Sequence, residues 1–420
     1  MAQENHASRL LKRIPQYTRM GRHMRAVFEH GTPRKWANLG LVEAERKLRR
    51  IDVRSRPYIL FLDPCNYCNL RCPLCPTGMG DLGRKQTMMS FECFKRYIDP
   101  HIPYLFEVNV HNWGESLLNP EVFRMIDYAQ SNNVGTNMSS NLVIAQEHHL
   151  DGLIEAGLEH LTVSLDGTDQ ASYEKYRVRG NFECVVENMA ALIRKRNARN
   201  RKTPFVEWQY IVMKHNENNV EEAEALAAKL GVDRIRFIPV GLPFETRNRQ
   251  ILADEWFPTK FEGRDNGAST PQTFGQADRP APCYYLYRSM VVNSDGGVSP
   301  CCIVYKDRRD FDHLEEHAAI DVSKIWNNEK YRSARALYTD KDWDGRKKTI
   351  CDGCDIFQRH PSKLARRERP PRPALDARKE SATSVRNDAE IISVTGSPAS
   401  TPAATGTTTL RISRPTSPTS

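Results

Sequence analysis

What this sequence lacks narrows it first. No apolar stretch reaches the roughly 20 residues that a membrane-spanning helix needs, so no span is expected. The N-terminal region is polar and basic with no continuous apolar run, and a secretory signal is not expected either. There is no P-loop, no dinucleotide-binding glycine fingerprint and no hydrolase triad, which sets aside three large enzyme classes. No aromatic residue follows position 361, and no cysteine follows Cys354. The 11 cysteines are odd in number and clustered, a pattern that argues against a disulfide framework and for metal ligation in a reducing compartment, the cytoplasm.

Charge is unevenly spread. The net +9 arises outside the middle of the chain: residues 1–56 carry 14 Lys and Arg against 5 Asp and Glu, and residues 361–420 carry 10 against 5. The segment between them is mildly acidic, so the basic excess is poor support for a nucleic-acid substrate. The expectation for the basic N-terminal arm is a solvated surface.

What is present is concentrated in eleven residues, Cys65-Asn-Tyr-Cys68-Asn-Leu-Arg-Cys72-Pro-Leu-Cys75. The C-x3-C-x2-C spacing of Cys68, Cys72 and Cys75 is too tight for two separated zinc knuckles. It suits three corners of a cubane iron–sulfur cluster whose fourth iron has no protein ligand. Counting Cys65 gives a four-cysteine set that could instead hold structural zinc. The loop follows Pro57-Tyr-Ile-Leu-Phe-Leu62, a short apolar run that reads as a buried strand, and the C-terminal ends of strands are where α/β barrels carry their chemistry.

From 57 to 245 strand and helix patterns alternate, with strands expected at 57–62, 105–111, 134–138, 160–165, 205–212 and 234–240. Six βα units predict an α/β fold, a partial (β/α)6 TIM-like barrel, because eight closed units would need more length. The expected organisation is a basic helical extension over 1–56, the barrel over 57–245, a polar connector or lid over 246–280, a small cysteine-rich domain over 281–358 and a disordered tail over 361–420. At the end of the second strand lies Asn109-Val-His-Asn-Trp-Gly114-Glu115. The fourth strand runs into Leu161-Thr-Val-Ser164-Leu-Asp166-Gly167, followed by Tyr176-Arg177. A glycine admits close approach to backbone, and an adjacent carboxylate can accept from an ammonium group.

Together these elements resemble the radical S-adenosylmethionine (radical SAM) superfamily over residues 57–245. The resemblance implies that Cys68, Cys72 and Cys75 hold a 4Fe–4S cluster and that SAM chelates its open iron. An external flavodoxin- or ferredoxin-like protein would supply one electron. SAM is then cleaved to methionine and a 5′-deoxyadenosyl radical, which takes hydrogen from the substrate. By position, Trp113-Gly114-Glu115 matches the family's Gly-Gly-Glu motif, with Trp at the first Gly. Ser139 and Asn141 fall where polar residues contact SAM, and Ser164, Asp166 and Arg177 are similar to a recurrent motif of the maturase branch. Leu74 stands where many members carry an aromatic residue. Cys65 reads as a nearby thiol rather than a fourth ligand, since a fourth thiolate would close the open iron.

The second cysteine group comprises Cys283, Cys301, Cys302, Cys351 and Cys354. The element Gly296-x4-Cys301 looks like a hairpin, and Cys351-x2-Cys354 returns from a distance. By itself the set could bind zinc or a fully ligated cluster. Beside a radical SAM barrel it resembles the SPASM/twitch extension, which implies an auxiliary 4Fe–4S cluster on Cys283, Cys301, Cys351 and Cys354, with Cys302 an alternative to Cys301. The implied activity is net oxidation or modification of a peptide or protein side chain, or of a sugar- or aminocyclitol-like small molecule. The competing expectation is a zinc-stabilised barrel that binds a partner without radical chemistry.

Overall fold

The computed structural model describes residues 19–243, 245–260, 282–315, 319–339 and 345–354. The tail over 361–420 and residues 261–280 of the expected connector lie outside the described residues. The described part of the connector contains a helix, Arg249–Trp256.

Among the described residues nine strands form one sheet: β1 (Ile59–Leu62), β2 (Glu107–Asn109), β3 (Gly135–Ser140), β4 (His160–Ser164), β5 (Phe205–Val212), β6 (Arg234–Pro239), β7 (Ser289–Val292), β8 (Gly297–Ser299) and β9 (Asp312–His313). Their order is β6-β5-β4-β3-β2-β1-β7-β8-β9. The first six run parallel, as βαβ crossovers require, and each falls where the sequence pattern places a strand. The intervening helices include Phe91–Ile98, Val122–Ser131, Glu147–Glu155, Phe182–Ala198 and Val220–Leu230. Their ends have local causes. The Ser90 side chain accepts from Cys93 N and that of Asn181 from Cys184 N, while Gly231 stops its helix at φ +70°.

Side chains alternate across each strand. Leu60, Leu62, Val108, Met138, Leu161, Val163, Val206, Trp208 and Tyr210 are fully buried in one apolar core. The opposite, concave face is largely polar, with Ile59 and Phe61 of β1 as apolar exceptions. Asn137 Nδ2 donates to Glu107 Oε2 at 3.4 Å, Arg236 Nε to Glu207 Oε1 at 2.8 Å, and His160 lies 3.9 Å from Glu207. A polar lumen accounts for the mixed character of these strands in sequence, where an apolar run alone would be easier to read.

The N-terminal helices, Arg19–Glu29 and Pro33–Lys47, depart from the solvated-arm expectation. Arg22 reaches His160 at 3.4 Å, and His23 lies 3.6 Å from Glu107 and stacks on Tyr58. His30 pairs with Glu159 at 2.7 Å, and Lys35 Nζ donates to the Asn133 carbonyl at 2.6 Å. These basic groups meet residues at the N-terminal ends of the strands, so they close the bottom of the barrel instead of facing outward.

The cysteine-rich segment continues the same sheet. Strand β7 pairs in parallel with β1, matching Leu62 to Val292, and β8 and β9 follow antiparallel. Gly296 turns the hairpin at φ +88°. Arg84, on the segment after the cysteine loop, forks onto Asp310 at 2.7 and 2.5 Å and reaches Asp295 at 3.2 Å. Its side chain is fully buried, so the guanidinium and Asp310 neutralise one another where neither would be stable alone.

Candidate active site

The Cys65–Cys75 loop leaves β1 at the top of the barrel. Leu70, Cys72 and Leu74 are buried in an apolar cluster with Tyr176, Met213, Val240 and Trp256. Leu74 is thus a packing residue at the position where the family often has an aromatic ring. Gly78, in the short helix after Cys75, has to be glycine: a Cβ there would lie 2.6 Å from the backbone N and O of Cys72.

Polar groups approach two of the three expected ligands. Leu70 N donates toward Cys68 Sγ at 3.4 Å and Asn141 Nδ2 lies 3.7 Å from it. Arg177 Nη1 lies 3.9 Å from Cys72 Sγ. Burial pushes the Cys68 thiol up to about 12, and the nearby Cys72 and Cys75 thiols push the same way. Burial also raises Cys72, while Arg177 opposes it. Thiols so placed give up their protons readily only to a bound metal, whose charge replaces that of the protons. Cys65 differs. It is fully buried, its Sγ donates to the Glu115 carbonyl at 3.1 Å, and burial holds its thiol far above the ordinary range.

Gly114 lies against this loop. A Cβ at Gly114 would sit 2.0 Å from the Cys65 carbonyl oxygen and 2.8 Å from that of Tyr67, and Glu115 N donates to the Tyr67 carbonyl at 3.0 Å. The Glu115 carboxylate accepts from Ser140 Oγ at 2.8 Å, Asn141 N at 2.8 Å and Leu117 N at 3.2 Å. It therefore brackets the ends of β2 and β3. Ser140, which the sequence does not single out, is the serine brought to Glu115, while Ser139 is half-buried on the lumen side. Asn141 also donates to Asn69 Oδ1 at 2.9 Å. Asp166 accepts from Arg177 Nε at 2.5 Å and from Ile211 N at 2.6 Å, which aims the guanidinium at Cys72. Ser164 ends β4 on the same lumen side, largely buried.

Trp113 is a connection that sequence spacing could not reveal. Its Nε1 donates to the Val304 carbonyl at 3.1 Å, and its ring meets Tyr305 with centroids 5.4 Å apart at 67°. Its own carbonyl accepts from Thr77 Oγ1 at 2.7 Å. Trp113 thus joins the cysteine loop and the Gly114-Glu115 turn to the segment that follows Cys301 and Cys302.

In the second group, burial pushes Cys283 up to about 11, with Cys354 next among the causes. Burial also raises Cys301 and Cys351, and Cys283 adds to both. Cys302 bears on Cys301 more than Cys351 or Cys283 does, so all five thiols of this group are neighbours. Cys302 Sγ lies 3.9 Å from the Tyr285 hydroxyl. No disulfide involves any of the 11 cysteines. Among the described residues no three thiols lie within 4.8 Å of one another. A single tetrahedral zinc with Zn–S bonds of about 2.3 Å gathers its thiolates more tightly. A cubane spreads them over separate irons, so this donor set fits clusters better than zinc.

Comparison with known proteins agrees with this geometry. Residues 62–206 match the Radical SAM superfamily, and residues 283–355 match the SPASM family, described as an iron–sulfur cluster-binding domain. The chain belongs to the radical SAM superfamily and is an enzyme of its SPASM-type branch, with SAM, a SAM-binding 4Fe–4S cluster and auxiliary iron–sulfur chemistry as its cofactors. Among similar proteins is the PqqA peptide cyclase of Gluconobacter oxydans, 26% identical over 290 residues that span 65% of this chain and 77% of the relative. The mycofactocin maturase MftC of Mycolicibacterium smegmatis is 26% identical over 165 residues, 39% of this chain and 40% of the relative. The structure of Streptococcus suis SuiB bound to precursor peptide SuiA shares the fold, with TM-score 0.52, 13% identity and coverage of 73% of this chain and 72% of that one. No helix among the described residues is long and apolar enough to cross a membrane.

Proposed function

We propose that this enzyme modifies a peptide by radical chemistry, with net oxidation of the peptide. The observation that carries this reading is the alignment with a peptide cyclase over 65% of this chain and 77% of the relative, beside family matches in both the barrel and the cysteine-rich segment. When bound, the clusters and SAM would supply one-electron chemistry and a hydrogen-abstracting radical. Cys68, Cys72 and Cys75 would hold the SAM-binding cluster. Gly114, Glu115, Ser139 and Asn141 would line the amino-acid and ribose end of SAM, and Ser164, Asp166 and Arg177 would complete the wall beside Cys72. Cys283, Cys301, Cys351 and Cys354 would hold the auxiliary cluster.

The test is to reconstitute the protein without oxygen, supply SAM and a flavodoxin-like reductant, and offer short peptides encoded beside its gene. The expected result is 5′-deoxyadenosine together with a peptide that has lost a pair of hydrogens by mass spectrometry. Turnover of a sugar or aminocyclitol alcohol with no peptide modified would overturn the peptide assignment. The cysteine assignment is checked separately. Cys301→Ser is expected to remove about four irons per chain, the content of one cubane, whereas Cys302→Ser keeps them. Equal iron loss from both variants contradicts the choice of Cys301.

A further inference from the structure

Asp63 is a buried carboxylate that the cysteine loop, the SAM motif and the auxiliary hairpin surround but do not fully use. It follows β1, and its backbone N–H continues the ladder by donating to the Val292 carbonyl of β7 at 3.0 Å. Strand alternation therefore puts its side chain on the same side as Ile59 and Phe61. That is the concave side, where Phe61 meets the His111 ring at 6.3 Å between centroids. Leu60 and Leu62 point the other way into the apolar core.

Asp63 is 1% exposed. Its Oδ2 accepts from Trp113 N at 3.4 Å, and the Gly114 N–H also points to the carboxylate. Its Oδ1 is buried and has no hydrogen-bond partner. Unfilled buried acceptors are rare because each costs the loss of hydration without replacement. This one lies at the top of the lumen, between the Gly114 turn and β7, where Asn112 Nδ2 donates to Asn293 Oδ1 at 3.1 Å. A substrate reaching the barrel mouth from the auxiliary side would bring a donor to this oxygen.

We propose that Asp63 is the catalytic residue that accepts the proton released by the substrate as it is oxidised. This rests on the oxidative reading given above. A substrate C–H bond breaks and its hydrogen atom leaves on the 5′-deoxyadenosyl carbon, one electron passes to an acceptor of the iron–sulfur class, and one proton from a neighbouring N–H, O–H or C–H bond goes to Asp63 Oδ1. The carboxylate is suited to hold it. Burial raises its affinity for a proton to a pKa of about 7, opposed by the Trp113 and Gly114 amides and by Arg84, and assisted by Asp295. Cys65, which faces it from the following loop, stays protonated. A base whose pKa lies near the working pH both takes up and gives up a proton efficiently.

Asp63→Asn tests this, because the amide oxygen can still accept from Trp113 and Gly114 while the proton acceptor is lost. The variant is given SAM, reductant and the peptide that the wild type modifies, and product is counted against 5′-deoxyadenosine, so that any disturbance of the Gly114 turn cancels from the ratio. Oxidised peptide per deoxyadenosine should fall by about 100-fold, the lower range of what a general base contributes. Infrared difference spectra of wild type and variant holoprotein should show a protonated carboxyl that titrates near neutral pH in the wild type alone. Unchanged product per deoxyadenosine, or a carboxyl that titrates in the ordinary carboxylate range, overturns the proposal. Loss of SAM cleavage in parallel with product also overturns it, since that is the result of a merely positioning role. If the wild type oxidises only an alcohol, the peptide reading fails and the same ratio, measured with that alcohol, judges Asp63.

Discussion

Cys72→Ala is expected to yield no 5′-deoxyadenosine when the anaerobically reconstituted protein is given SAM and reductant. The variant should contain about four irons per chain against about eight for the wild type, the difference being one cubane. Cys72 is 5% exposed and packed among Leu70, Leu74 and Tyr176, so no water or neighbouring side chain can take its place on a metal. Its surroundings also carry a charge suited to a thiolate. Arg177 lies 3.9 Å from the sulfur and is itself held by a fully buried Asp166. Removing the thiol leaves that guanidinium facing an apolar methyl, with only Asp166 to offset its charge. Cys65 offers no substitute, because its thiol is committed to the Glu115 carbonyl. The outcome that would contradict this assignment is deoxyadenosine formation by the variant at more than a trace of the wild-type rate. Cys65→Ser provides the contrast. A hydroxyl can still donate to the Glu115 carbonyl, so eight irons and SAM cleavage should both persist.

The parts of this molecule that can be read in sequence are those fixed by local chemistry. Six strands and their crossover helices follow from short apolar runs, from caps such as Ser90 and Asn181, and from Gly231 in the left-handed region. The cysteine spacing is local too, and it points directly to the family. What could not be read is what depends on residues far apart in the chain. Strand β7 joins β1 across more than two hundred residues, so the hairpin of the small cysteine-rich domain is hydrogen-bonded to the barrel sheet, a pairing that no local pattern carries. The basic arm looks solvated in isolation because its partners Glu107, Glu159 and His160 lie on three other elements. Trp113 looks like a defect in the Gly-Gly-Glu pattern until its contact with Val304 and Tyr305 is known. Asp63 had a local signal, since the alternation of Ile59, Phe61 and Asp63 turns a carboxylate inward beside the cysteine loop.

Gly114→Ala is the second substitution with a large expected effect, and it separates fit from chemistry because no reactive group is touched. The added Cβ would lie 2.0 Å from the Cys65 carbonyl oxygen, 2.7 Å from its carbonyl carbon and 2.8 Å from the Tyr67 oxygen. All three are backbone atoms, so no side chain can rotate away. Either the cysteine loop or the Trp113–Glu115 turn has to move. The turn is held by Thr77, Asp63 and Val304, and Glu115 is held by Ser140 and Asn141, so the displacement would spread to both sides of the SAM site. A shift of about 1 Å at a reacting centre costs on the order of 100-fold in rate. Deoxyadenosine formation should fall by at least that factor. The auxiliary cluster, whose proposed ligands lie outside this contact, should keep its about four irons. Gly40→Ala is the control: nothing lies within 4 Å of a Cβ there, and it sits inside the Pro33–Lys47 helix. That change should leave SAM cleavage intact and raise stability by up to about 1 kcal/mol through helix propensity. Wild-type SAM cleavage by Gly114→Ala would mean that the loop and the turn are not pressed together in solution, and that glycine at 114 is not what lets the SAM motif approach the cysteines.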